Sequence, residues 1–173
     1  MLPRVQQLAS GIVSVYLVLT VACAVSYGSF GMDDFDAVNH AMSTVATGGF
    51  STKDASLGYF DNDGILAVAT VFMTLGALPF VLYIRFFLPR QFQRWSDPQV
   101  PLFLGICVVA TAVLVVMRMV HNEVGFGEAL VSSAFNFVSI ITTTGFISED
   151  FTRWSHAAVG VFFVAMFIGG CAG

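Results

Sequence analysis

Ser43-Thr-Val-Ala-Thr-Gly-Gly-Phe50 has a second copy in the same chain, Ser139-Ile-Ile-Thr-Thr-Thr-Gly-Phe146. At an offset of 96 residues Ser43 meets Ser139, Val45 meets Ile141 and Thr47 meets Thr143. Gly49 meets Gly145, Phe50 meets Phe146 and Asp54 meets Asp150. Each copy sits between hydrophobic stretches long enough to cross a bilayer. Irregular Thr/Gly-rich backbone at membrane depth is tolerated only where it is buried in protein or lines a water-filled cavity. Backbone carbonyls drawn from such segments replace the hydration shell of a cation in ion filters. The pair therefore points to part of a cation-conducting pore.

Working outward, the charges define the surroundings. Of 173 residues, 57% are apolar and only 10% charged, and the mean hydropathy is +0.83. No charge falls between Arg4 and Asp33, Asp63 and Arg85, Asp97 and Arg118, or after Arg153. These gaps hold 28, 21, 20 and 20 residues, and roughly 20 apolar residues cross a hydrocarbon core as a helix. The chain reads as an all-α integral membrane protein with spans at about 11–27, 64–84, 101–120 and 155–173. The first span, running into acidic residues and a second hydrophobic system, is too long for a removable signal peptide.

Between the spans lie the two re-entrant segments. From Asp36 to Lys53 only 16 uncharged residues intervene, too few to cross as a helix, and Gly48-Gly49 interrupts them. A half-membrane helix opened by acidic Asp33, Asp34 and Asp36 fits the helix dipole, with a returning strand after it, over 35–50. Ala129 to Ser148 is uncharged for 20 residues and passes as a span on hydropathy alone. Asn136, six hydroxyl residues before Gly145, and the repeat of the first segment favour a second re-entrant segment over 129–146. The organisation is helix, pore segment, helix, twice: residues 1–90 and then 91–173. Gly76 and Pro79 predict a kink in the second span. Arg118 is expected to snorkel at the outer end of the third.

Arg4 and the Arg85, Arg90, Arg94 cluster mark the cytoplasmic side. Ten of the 11 acidic residues then fall on the opposite face, where a negative mouth would concentrate cations. The connection around Trp95 reads as an interfacial helix in contact with lipid rather than a nucleic-acid-binding surface. Cys23, Cys107 and Cys171 lie in apolar stretches without CxxC or Cys/His company, which argues against a disulfide framework or zinc site. His40, His121 and His156 form no motif and suit packing or interfacial roles. No phosphate loop, nucleophile elbow or paired buried carboxylate supplies enzyme chemistry.

A filter needs closely spaced inward carbonyls. Glycine opens backbone conformations closed to other residues, and β-branched Thr stiffens an extended segment while adding a hydroxyl. Ala46-Thr47-Gly48-Gly49 and Thr142-Thr143-Thr144-Gly145 have this chemistry, and Phe50 and Phe146 are placed to wedge the loops against neighbouring helices. The preceding short helices turn the negative end of their dipole toward the membrane centre. A rival reading is a non-conducting membrane scaffold whose re-entrant segments only pack, since Gly and Thr are common helix-packing residues.

The run Phe35-Asp-Ala-Val-Asn-His-Ala-Met-Ser-Thr-Val-Ala-Thr-Gly-Gly-Phe-Ser-Thr-Lys-Asp-Ala-Ser-Leu-Gly-Tyr-Phe60, the segment Thr142-Thr-Thr-Gly-Phe146 and the terminal Phe167-Ile-Gly-Gly-Cys-Ala-Gly173 resemble the TrkH family. These are the translocating subunits of bacterial Trk potassium-uptake systems, in the Trk/Ktr/HKT superfamily, and the resemblance covers essentially the whole chain. It implies four helix–pore–helix repeats around one K⁺-channel-like pore, with this chain as the second and third repeats of a longer protein. It places the shared filter glycine on Gly49 and Gly145, and the carbonyls that hold K⁺ on Thr47, Gly48, Thr143 and Thr144. It also implies a glycine-rich gating loop beginning at Gly169, Gly170 and Gly173. A homodimer of the full-length subunit, a cytoplasmic nucleotide-binding regulatory subunit, and a multi-pass place in the bacterial inner membrane follow from it. No covalent cofactor is implied, because K⁺ is the transported species. A Na⁺-permeable or Na⁺/K⁺-cotransporting relative is the nearest alternative. Glycine at both shared positions leans toward K⁺.

Overall fold

The computed structural model describes residues 2–80, 82–83 and 98–169, and among them every regular element is helical. Among the described residues six α-helices follow in order: α1 (Leu2–Ser29), α2 (Asp34–Val45), α3 (Asp63–Ala77), α4 (Gln99–His121), α5 (Phe126–Ile141) and α6 (His156–Ile168). Short 3-10 turns at Ser56–Phe60 and Phe151–Arg153 lead into α3 and α6.

Two helices are long and apolar enough to cross a bilayer, Ala9–Ser29 within α1 and Gln99–His121. Only 11% and 28% of their most apolar stretches are buried within this chain. Val13, Leu17, Val18, Val21 and Val25 lie exposed along α1, as do Leu102, Val108, Val109, Val116 and Val120 along α4. Such faces belong in lipid or against further membrane helices. By contrast α2, with 12 residues, rises only about 18 Å and cannot cross a core of about 30 Å.

Capping explains where the short helices start. Asp33 caps α2, its side chain accepting from the Phe35 amide. Asn62 caps α3 through Gly64, and Ser155 caps α6 through Ala158. The second pore helix begins at Phe126, with Gly125 as its N-cap, three residues before the sequence places it.

Two expected spans end early. The span expected over 64–84 is broken rather than kinked: α3 stops at Ala77 and Leu78 takes ψ 144. Pro79 forces that extended geometry on the residue before it, and a fresh turn forms when Leu82 N–H donates to Pro79 O. The span expected over 155–173 ends as a helix at Ile168, because Gly169 adopts φ 47 and ψ 107. Residues 84–97 and 170–173 lie outside the described residues. The basic connection with Arg85, Arg90, Arg94 and Trp95 therefore has no structural account, nor do Gly170 and Gly173.

The core joins the two halves. α1 packs chiefly on α2, α4 chiefly on α5, and α3 reaches across to α5. Tyr27, Phe135, Phe146, Phe162, Met73 and Leu114 are among the largest fully buried side chains. Gly76 in α3 lets the end of α2 come close: a Cβ there would stand 2.6 Å from Val45 O. Cys23 and Cys107 are buried free thiols, consistent with packing roles.

Candidate ion-conduction site

Both pore helices end in the same unusual way. Their C-caps, Ala46 and Thr142, have φ and ψ of −78 and 0, and of −80 and 0. The next residues, Thr47 and Thr143, turn left-handed at φ 49 and 58. Two residues on, Gly49 and Gly145 have φ 68 and 86. Each matched pair is separated by the 96-residue offset of the sequence repeat.

The hydrogen bonds show why the chain leaves the helix here. Thr47 N–H donates to Thr44 O and Gly48 N–H to Ser43 O, the Schellman pattern that satisfies terminal helix carbonyls. Thr143 N–H likewise donates to Ile140 O, whereas the outer bond is made one residue later, from Gly145 N–H to Ser139 O. Glycine or asparagine normally fills the left-handed position of this cap. A β-branched threonine there carries strain on the order of 1–3 kcal/mol, of the kind concentrated at functional sites. It occurs at the matching place in both copies.

The amide donors of these segments turn back onto the pore helices. Among the described residues, the carbonyls of Gly48, Thr143 and Thr144 accept no hydrogen bond. In the second segment side chains alternate: Thr142, Thr144 and Phe146 are buried, while Thr143 and Gly145 are exposed. Thr142 Oγ1 donates to Val138 O, so Thr144 Oγ1 supplies the proton of the 2.7 Å bond between the two hydroxyls. The Thr144 hydroxyl is thereby committed to the protein. Ala46 and Gly48 are exposed, and Thr47 and Gly49 half-buried.

The two segments touch. A Cβ on Gly49 would lie 1.9 Å from Thr144 O, so glycine alone lets the segments approach this closely. Farther out, Gly58 N–H donates to Ile147 O at 3.1 Å, and Ser56 Oγ accepts from Ile147 N–H. Below the second segment, Gly169 faces the Thr143 methyl, with its Cβ position 4.0 Å away.

Each returning strand is clasped by its pore helix. His40 Nδ1–H donates to Asp36 O at 2.7 Å, which leaves Nε2 of a neutral ring to accept from Ser51 Oγ at 2.9 Å. Asn136, the residue 96 positions later, reaches Ser148 Oγ at 2.6 Å and Ser132 O at 2.9 Å. Asp36 accepts from Thr52 Oγ1 and pairs with Lys53 at 3.0 Å. The Thr52 hydroxyl, and then Lys53, hold the Asp36 carboxyl below its ordinary value, and Asp36 raises Lys53 in return.

Two wedges behave differently. Phe146 is 2% exposed and lies 6.1 Å from the His40 ring, whereas Phe50 is 81% exposed, with its ring edge beside Gly48. Arg118 does not snorkel: it is 4% exposed and turns inward to Ser132, Glu149 and Trp154. Among the described residues no group of His, Cys, Asp and Glu is arranged to hold a metal.

Helices long and apolar enough to cross a membrane, half-length helices between them, and a left-handed turn repeated after two of these define a helical membrane protein. The chain belongs to the TrkH family of cation transport proteins, whose family model matches residues 1–173. It is 39% identical over 173 residues to the Trk system potassium uptake protein TrkI of Halomonas elongata, covering 99% of this chain and 35% of that protein. It is 34% identical to TrkH of Escherichia coli K12, covering 100% of this chain and 36% of the relative. The crystal structure of the potassium transporter TrkH from Vibrio parahaemolyticus superposes with a TM-score of 0.91 at 37% identity. That match covers 99% of this chain and 38% of the other. The chain thus spans little more than a third of the length of these relatives.

Proposed function

We propose that the protein of which this chain forms part takes up K⁺ through a pore lined in part by residues 46–49 and 142–145. Two units supply the lining, 1–90 and 91–173, each contributing a pore helix and a returning segment. The observation that carries this reading is the duplicated turn: left-handed Thr47 and Thr143, and left-handed Gly49 and Gly145, with the carbonyls of Gly48, Thr143 and Thr144 accepting no hydrogen bond among the described residues. The carbonyls of Thr47, Gly48, Thr143 and Thr144 coordinate the dehydrated ion, and no covalent chemistry or bound cofactor takes part. The C-terminal ends of α2 and α5 add a partial negative charge where the ion sits. Relatives named as potassium uptake proteins support K⁺ over Na⁺, as does glycine at both shared positions.

Gly169, against Thr143, is read as the start of a glycine-rich gating loop that the sequence continues with Gly170 and Gly173. The full-length protein resides in the bacterial inner membrane as a multi-pass homodimer, controlled by a cytoplasmic nucleotide-binding subunit. Rubidium uptake by the full-length protein in potassium-uptake-deficient cells tests the pore. Gly145→Ser, at matched membrane expression, is expected to lose uptake or its discrimination against Na⁺. Unchanged uptake and selectivity would reduce the repeated segment to packing and return the scaffold reading.

A further inference from the structure

The repeat relation breaks down at one place, and there the structure substitutes a different device. Lys53, on the strand returning from the first segment, corresponds at the 96-residue offset to Glu149, of opposite charge. Its partner Asp36 corresponds to uncharged Ser132. The missing countercharge comes from α4: Arg118 Nη1 donates to Glu149 Oε1 at 2.6 Å and to Ser132 Oγ, and Nη2 donates to Glu149 Oε2 at 3.3 Å. Ser132 Oγ spends its own proton on Glu128 O, so it is free to accept. The guanidinium carbon stands 4.3 Å from the centre of the Trp154 ring, just before the cap of α6. The residue of α1 that matches Arg118 is Ala22, so the first repeat has no such group.

We infer that Arg118 is a positioning residue for the second ion-coordinating segment, acting through Glu149 and Ser132. It ties three elements to α4: the pore helix α5, the strand that leaves Gly145, and the start of α6. Residues 143–147 are then fixed at both ends, by the helix cap at Thr142 and by the clasp at Ser148 and Glu149. Carbonyl spacing in this segment depends on that tension. A planar fork is needed, because a lysine cannot reach Ser132 and both Glu149 oxygens together. The pairing also neutralises a carboxylate near the ion path. The Asp36–Lys53 pair does the same work in the first repeat with its polarity reversed.

This inference rests on the reading of residues 142–145 as ion-coordinating, and the test separates the two. Rubidium uptake is measured for the full-length protein carrying Glu149→Gln, Arg118→Lys, both together, Gly145→Ser, or Arg153→Gln. Arg153 is 85% exposed, pairs with Asp150 and serves as the neutral control. Each single clasp variant is expected to raise KM for rubidium about tenfold, as loss of a group that orients metal ligands does. Transport at saturation per transporter should stay near wild type, and the double variant should be no worse than either single one. A purely structural role predicts less protein in the membrane with unchanged KM. Wild-type KM and Na⁺ discrimination in Glu149→Gln would overturn the inference even if Gly145→Ser is impaired. Should Gly145→Ser also be unaffected, the ion-coordinating reading falls and this inference falls with it. If Arg118→Lys fails to reach the membrane, Glu149→Gln decides alone, since its side chain is 39% exposed and removable.

Discussion

Gly48 and Gly49 are adjacent, yet alanine at the two positions should have opposite consequences. At Gly49 a Cβ would stand 1.9 Å from Thr144 O and 2.9 Å from the carbonyl carbon. Carbon and oxygen in contact settle near 3.3 Å, so the Thr144 carbonyl must retreat by about 1.4 Å. Alanine at φ 68 adds backbone strain on the order of 1–2 kcal/mol, and the forced displacement adds about 1–3 kcal/mol. A positioning group moved by roughly 1 Å loses about a hundredfold in rate, and here the moved group is an oxygen of the other repeat that we propose coordinates the ion. At Gly48 the backbone is not left-handed. The new Cβ would meet only the Phe50 ring edge at 3.3 Å and Ser43 O at 3.7 Å. Phe50 is 81% exposed and can swing aside. The position 96 residues on is Thr144, which already carries a side chain. Rubidium uptake per transporter should therefore fall about a hundredfold in Gly49→Ala and stay within about threefold of wild type in Gly48→Ala. Equal effects of the two substitutions would refute the contact between the segments.

Gly58→Ala should separate the repeats farther out, because its Cβ would lie 2.1 Å from Ser148 O and the Gly58–Ile147 hydrogen bond would be lost. A loss of about 2–4 kcal/mol is expected, read as a lower unfolding temperature in detergent; an unchanged temperature would contradict the packing. The Asp36–Lys53 clasp should not respond to external pH in the physiological range. The lowered carboxyl of Asp36 keeps its stabilisation above about pH 3.9 and loses it only as pH falls through the native value. The raised ammonium of Lys53 keeps its share below about pH 10.4 and loses it as pH rises through the native value. Lys53→Gln should thus leave the shape of the uptake profile between pH 5 and 9 unchanged, and a shifted profile would show that another charge faces this pair.

What the sequence made legible was whatever depends on the distribution of charge and on repetition. Charge gaps located α1 and α4, and the 16-residue gap before Lys53 marked α2 as too short to cross. Hydropathy alone passes residues 129–148 as a span, whereas Asn136, the six hydroxyl residues and the second copy of the Thr/Gly stretch favour a re-entrant segment. Other features depend on geometry that no local pattern encodes. The left-handed conformation of Thr47 and Thr143 violates the usual preference for glycine at that place in a helix cap, so residue type gives no warning of it. Arg118 at a helix end suggests snorkelling until Glu149, 31 residues away, is seen to make burial affordable. The one available hint was the opposite charge of Lys53 and Glu149 at equivalent positions. The break at Leu78 was nearer to hand, since a residue before proline is pressed into extended geometry.

Comparison of the two halves shows which features tolerate substitution. Identity at the 96-residue offset persists where the backbone demands it: Thr47 with Thr143 and Gly49 with Gly145, in the same left-handed geometry. It lapses where only a link is needed, as His40 to Ser51 becomes Asn136 to Ser148. Histidine and asparagine present different atoms, and from matching positions of the helix they reach the returning segment 11 and 12 residues on. An ion pair is likewise indifferent to which side carries the positive charge, provided the burial of each group is matched by a partner. The reversed pair reaches the same result by drawing Arg118 from a neighbouring helix. The returning segment is therefore constrained in position rather than in charge, and under the proposed coordination by carbonyl oxygen either arrangement would serve equally.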